Sequence, residues 1–166
     1  MAYLLDANVF IQGKNLYYGM DVCPGFWDWL LIENAAGRVF SIDKVRDEIE
    51  AGTDALADWS RNCDDQFFLQ PDAPLNAALA TVSQWIVSQP LYTAAAHNIF
   101  FQAADYYLVA YALAHGHTLV THEKPAPTAK KVQIPNVCIG LNVPFVNTFE
   151  MLRRERARFV LAPQGT

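Results

Sequence analysis

Four carboxylates, Asp6, Glu48, Asp105 and Glu123, stand where chemistry explains them better than solvation does. Asp6 closes the apolar run Tyr3-Leu4-Leu5, and open α/β sheets place their ligands at the carboxyl ends of strands. Glu48 lies beside Val45 and Ile49, whose spacing puts them on the buried side of a helix. Asp105 precedes Leu108 and Val109 at the head of the most apolar helical pattern in the chain, and Glu123 follows a second apolar run that ends at Thr121. Two carboxylates brought to ~4 Å repel by about 4 kcal/mol at an effective dielectric near 20. Such a set persists only with protons or a cation to neutralise it. No pair of histidines at helical spacing and no cysteine cluster accompanies the acids, so the donors are all oxygen and the natural occupant is Mg²⁺ or Mn²⁺. An ion so held activates water and stabilises the leaving oxygen in phosphodiester hydrolysis. Each acid also has a plainer reading. Asp6 or Asn8 would cap the following helix, and Asp105 would be a first-turn acid favoured by the helix dipole.

The elements that must position these residues follow from periodicity. Strands are expected at Tyr3 to Leu5, Arg38 to Ile42, Gln66 to Leu69, Thr118 to Thr121 and Val137 to Ile139. A helix or turn begins after Asp6 and is interrupted around Gly13 and Gly19. Pro24 opens a helix that Gly37 ends, with Phe26, Trp29 and Leu30 packing inward. Asp43 reads as the N-cap of a helix from Lys44 to Ala51, on which Asp47 projects to solvent. Further helices are expected from about Asp54 to Asn62, Leu75 to Val87, Ala104 to His115 (closed by Gly116) and Thr148 to Phe159. His122 to Lys131 reads as a polar loop. Strands apolar on both faces and alternating with helices imply a single α/β domain, residues 1–160, with a mainly parallel central sheet flanked by helices and a tail at 161–166.

At 166 residues the chain is long enough for one sizeable core, and 52% apolar with 17% charged residues is a globular composition. No apolar run reaches the ~18 residues of a membrane span and no signal-peptide core precedes Asp6, so no membrane is expected. Cys23, Cys63 and Cys138 form no paired pattern and fit small core residues in a reducing cytoplasm. The net charge of −5 argues against a protein that coats nucleic acid. Its distribution is uneven: residues 1–72 carry 13 acids against 5 Lys and Arg, whereas residues 73–166 carry 4 acids against 7. In so basic a half, Asp105 and Glu123 are not background.

Taken in order, Leu4-Leu5-Asp6-Ala7-Asn8-Val9-Phe10-Ile11, Asp47-Glu48-Ile49, Ala104-Asp105 with Leu108-Val109-Ala110-Tyr111-Ala112, and Leu119-Val120-Thr121-His122-Glu123 resemble a PIN domain. The likeness spans nearly the whole chain, and is closest to a prokaryotic PIN-like subgroup of unassigned function with Thr-x-Glu where most members carry Thr-x-Asp. The resemblance implies a metal-dependent endoribonuclease, often the toxin of a toxin–antitoxin pair. Its partners are then an RNA substrate and a protein antitoxin, and a homodimer is compatible with it. By the same resemblance Asp6, Glu48 and Asp105 match the three acids common to the family, and Glu123 matches the more variable fourth. Asn8 falls where a Ser or Thr orients ligand or water, and Thr121 matches the polar residue after the fourth strand. Asp6 and Asp105 would hold Mg²⁺ or Mn²⁺, with Glu48 or Glu123 completing the shell. Glutamate at 123 is one methylene longer than the commoner aspartate, and the loop from His122 to Pro127 is less regular than in the commoner toxins.

Haloacid-dehalogenase-type phosphatases share an apolar strand before Asp-x-Asp, but Asn8 cannot supply the second titrating acid. A doubly wound nucleotide-binding domain would need a Gly-rich phosphate loop, which is missing. The alternative that stands is a catalytically inactive PIN-like module that binds RNA or a protein partner. Arg153, Arg154, Arg156 and Arg158 read as a solvated face, whereas Lys124, Lys130 and Lys131 sit on a loop adjoining the acids and suit RNA phosphates better. Trp27, Trp29, Trp59 and Trp85 are expected mainly in the core.

Overall fold

The strand order of the sheet explains why one edge of this molecule collects the acids. A computed structural model describes residues 1–163. In it β1 (Tyr3–Leu5), β2 (Val39–Ile42), β3 (Phe68–Leu69), β4 (Thr118–Val120) and β5 (Phe145–Val146) form one sheet in the order β3-β2-β1-β4-β5. Every pairing is parallel. From β1 the chain builds outward through β2 to β3, then returns to the other side of β1 to lay down β4 and β5. The strand order therefore reverses between β1 and β4, and the carboxyl ends of those two strands flank the crevice where open parallel sheets bind ligands. Backbone bonds fix these ends: the Asp6 amide donates to Val120 at 3.0 Å, joining β1 to β4, and the Thr121 amide to Val146 at 3.0 Å, joining β4 to β5. Ser41, fully buried, donates its hydroxyl to the Leu5 carbonyl at 2.7 Å and stitches β2 to β1. The expected α/β fold with a parallel sheet between helices is what forms.

Helices cover both faces: α1 (Ala7–Gln12), α2 (Pro24–Ala35), α3 (Asp43–Glu50), α4 (Ala55–Asn62), α5 (Ala73–Ser88), α6 (Ala94–Gln102), α7 (Ala104–His115), α8 (Ile134–Leu141) and α9 (Thr148–Arg154). The central one is α7. Leu108, Val109, Ala110, Tyr111 and Ala112 are all buried, so its middle is apolar on every side, as for a helix enclosed by protein. Gly116 ends it in the left-handed conformation at φ 66°, which glycine adopts without a Cβ penalty. Burying each large apolar side chain contributes roughly 1.5–3 kcal/mol. Phe10, Phe26, Phe67 and Phe68 are among the largest that are fully enclosed. All four tryptophans meet the core, as expected, but it is Trp27 that is buried, whereas Trp29, which the helical spacing put inward, packs half-buried like Trp59 and Trp85. Among the described residues no helix is long and apolar enough to cross a membrane.

Several expected elements are corrected. Val137 to Ile139 is not a strand but the middle of α8. Ile134, Val137, Cys138 and Leu141 have helical spacing, Pro135 starts the helix and Asn142 ends it at φ 56°. The fifth strand is Phe145–Val146, too short to announce itself by alternation. Helix α6, to which no element was assigned, is capped by Thr93 and anchored by only two buried residues, Ala96 and Phe100. The last helix stops at Arg154 instead of Phe159, with Arg156 left-handed at φ 56°. Gly13 does not interrupt the first helix, which continues through a π-helical stretch, Gly13–Tyr17. There Gly13 is buried against the rings of Phe26 and Trp27. Asp43 is the first residue of α3, not its cap, and its carboxylate accepts from the Lys44 amide at 2.8 Å. In the tail expected at 161–166, residues 164–166 lie outside the described residues.

Candidate metal centre

Asp6 leaves β1 and enters α1 with an extended backbone, the geometry of an N-cap, yet its side chain caps nothing. The contrast with other helix starts is sharp. Asp54, Asp72, Thr93 and Asn147 each accept an amide hydrogen bond from the first turn of the helix they precede. Asp6 instead is 2% exposed, and its Oδ2 accepts a hydrogen bond from the buried Thr121 hydroxyl at 2.9 Å. Among the described residues no hydrogen bond reaches its other oxygen, and no Lys, Arg or His pairs with Asp6 or Asp105. The capping explanation for Asp6 fails on that geometry.

Asp6, Asn8, Glu48, Asp105 and Glu123 line one cavity of about 450 Å³, together with Ala7, Lys44, Asp47, Gln102, Ala103, Ala104 and Lys131. β1 delivers Asp6, the start of α1 Asn8, α3 Glu48, the head of α7 Asp105, and the loop after β4 Glu123. Thr121 stands behind Asp6. Its hydroxyl donates to that carboxylate and accepts from the Glu123 amide at 3.1 Å, so one side chain fixes two of the acids.

Glu48 lies beside Val45 and Ile49, as expected. On α3 the enclosed stripe is Val45 and Ile49, and Glu48 falls at its edge, exposed but facing the cavity. Asp47 is exposed as expected, yet borders the same cavity, as does Lys44 one turn earlier. The spacing 44, 47, 48 is one helical face and was the available signal for Lys44. Gln102 belongs to the unassigned α6, so nothing placed it. His122 faces away, its Nε2 2.9 Å from the Thr148 hydroxyl and its ring among Tyr17 and Phe149.

The electrostatics show strain. Burial pushes the Asp6 carboxyl up to about 7, the charges of Asp105, Glu123 and Glu48 push the same way, and the Thr121 hydrogen bond opposes them. Asp105 is pushed up to about 6, by burial and then by Glu123 and Glu48, against the nearby Lys131. Two carboxyls raised into the neutral range in one cavity hold a proton or attract a cation. Glu123 is differently placed: Oε1 accepts from the Lys131 ammonium and Oε2 from the Ile134 amide at the start of α8, each at 2.8 Å. That contact keeps the Lys131 ammonium above its ordinary value.

Among the described residues no three His, Cys, Asp or Glu side chains converge closely enough to enclose an ion by themselves. Mg²⁺ rarely asks for that. It keeps several waters and uses one or two carboxylates plus substrate phosphate oxygens. A buried carboxylate with an unshared oxygen, a second raised carboxyl and open space beside them fit such an ion.

A family model described as a domain of unknown function (DUF4411) matches residues 3–159, which takes in every acid of the cavity. No curated protein and no solved structure matches the chain. The match spans the described elements from β1 to α9, and the chain therefore belongs to the DUF4411 family.

Proposed function

We propose that this protein is a metal-dependent endoribonuclease that hydrolyses RNA phosphodiester bonds at the cavity between β1, α3 and α7. The observation that carries the reading is the buried Asp6, whose carboxylate takes a hydrogen bond from Thr121, lining one cavity with Asp105 and with no cation paired to either among the described residues; burial raises both carboxyls, to about 7 and about 6. Asp6 ends β1 at the strand-order reversal, where ligands of parallel sheets bind, and Asp105 lines the same cavity. Mg²⁺ or Mn²⁺ bound there supplies positive charge and Lewis acidity toward water and the scissile phosphate. Asp6 and Asp105 hold the ion, and Thr121 keeps Asp6 in its ionised orientation by hydrogen bonding. Glu48 and Asn8 both line the cavity wall, and in this reading they orient the attacking water. The choice of RNA and the membership of a toxin–antitoxin pair rest on the resemblance to PIN domains, and the cytoplasmic setting on the unpaired Cys23, Cys63 and Cys138.

Cleavage of a labelled total-RNA pool with Mg²⁺, Mn²⁺ or EDTA, by wild type and Asp105→Asn, tests it. Cleavage that needs the metal and disappears in the variant is expected. Equal cleavage by both proteins rejects the site, and no cleavage by either moves the protein to the binding-module reading.

A further inference from the structure

The cavity contains a positive charge of its own. Lys131 lines it with Asp6, Asp105 and Glu123, and its Nζ lies 2.8 Å from Glu123 Oε1. Lys44, the other lysine on the wall, is engaged elsewhere, 5.0 Å above the Tyr107 ring. Glu123 in turn is not a free ligand. Its side chain is 9% exposed, its second oxygen takes the Ile134 amide at 2.8 Å, and its own amide donates to Thr121. The acid is locked at the start of α8 and presents Lys131 toward Asp6 and Asp105.

Two-metal phosphodiesterases place a second cation about 3.5–4 Å from the first, so that attacking and leaving oxygens are both stabilised. An ammonium is a compact point charge with three donors. In Lys131 one is spent on Glu123, and two remain for a phosphate oxygen. We infer that Lys131, held by Glu123, takes the place of a second cation, so that the cavity holds a single divalent ion. Glu123 is then a positioning residue acting through Lys131, and not a ligand. The inference rests on the metal-site reading above.

Counting Mn²⁺ per chain by calorimetric titration, with the free ion checked by electron paramagnetic resonance, tests it in wild type, Lys131→Gln, Lys131→Arg and Asp6→Asn. Wild type and Lys131→Arg are expected to hold one Mn²⁺, because both keep the charge. Lys131→Gln frees Glu123 Oε1 and is expected to take up a second. Two ions in wild type, or one ion in all three proteins with the wild-type Asp6, overturns the inference while leaving the metal site intact. Unchanged binding in Asp6→Asn, or none in wild type, removes the metal site and the inference with it. Lys131 is a largely exposed side chain on a loop, so its variants are expected to fold.

Discussion

The two ends of α7 are built from similar polar residues and treat them oppositely. At its tail His115 pairs with Asp72 at 2.8 Å, stacks between Tyr111 and His117, and the Tyr111 hydroxyl donates to the Gln70 carbonyl. The Ala2 amide reaches His117 Nδ1 at 3.4 Å. Each of those groups has a partner within the chain. At the head of the same helix, roughly 15 Å away at 1.5 Å per residue, Asp105 faces Asp6 with no cation paired to either among the described residues. Folding alone would favour an apolar or paired arrangement there, since an unshared buried carboxylate costs stability. What the tail satisfies internally, the head leaves without a paired cation among the described residues.

The largest expected effect breaks the contrast at its head. Asp6→Asn keeps the Thr121 contact in shape but removes the charge, and should lower metal-dependent cleavage by on the order of 10³-fold with the circular-dichroism spectrum unchanged. Substantial activity in that variant would end the catalytic reading of Asp6.

Next comes the cost of the charge itself. The folded Asp6 carboxyl sits at about 7 against an ordinary 3.8, so its contribution to stability is full below pH ~4 and is lost as pH rises through about 7. In EDTA the wild type should therefore lose up to about 4 kcal/mol between pH 4 and 8 from this group. Asp6→Asn should lack that slope, and Mn²⁺ should restore much of the loss at pH 8. Denaturant titrations at the two pH values measure it, and identical slopes in both proteins would contradict the strain.

Thr121→Val should cost about 2 kcal/mol, since it removes a bond to a carboxylate and one from the Glu123 amide. The Thr121 bond favours ionised Asp6, so the rising limb of the pH–rate profile should move to higher pH. A smaller loss with an unmoved profile would make Thr121 a mere filler of space.

The smallest effect sharpens the contrast at the tail. The His115–Asp72 pair is only partly buried, so His115→Ala should change stability by no more than about 1 kcal/mol. It should leave cleavage and metal binding untouched, and a large loss of either would show that the tail also serves the site.

Much of this was readable in advance because the informative residues sit where strong local signals meet. Asp6 follows a run apolar on both faces, and Asp105 opens the helix that Gly116 closes at the expected residue. The errors came where local pattern was outweighed by packing. Val137-Cys138-Ile139 reads as a strand in isolation and as a helix only once Ile134 and Leu141 enter the window. The face of α3 that meets solvent also meets the cavity, so exposure alone could not separate Glu48 from Asp47. The grip of Glu123 on Lys131 and on the Ile134 amide joins positions 8 and 11 residues apart across an irregular loop, and no periodicity reports such a contact.

The most direct test of the central claim is an anomalous difference map from crystals grown with Mn²⁺ at pH 8. A peak bound by Asp6 and Asp105, with the remaining positions open to water, is the predicted result. An empty cavity with Mn²⁺ at His115 and Asp72 instead would contradict the account, because the end of α7 left unsatisfied would not be the end that binds.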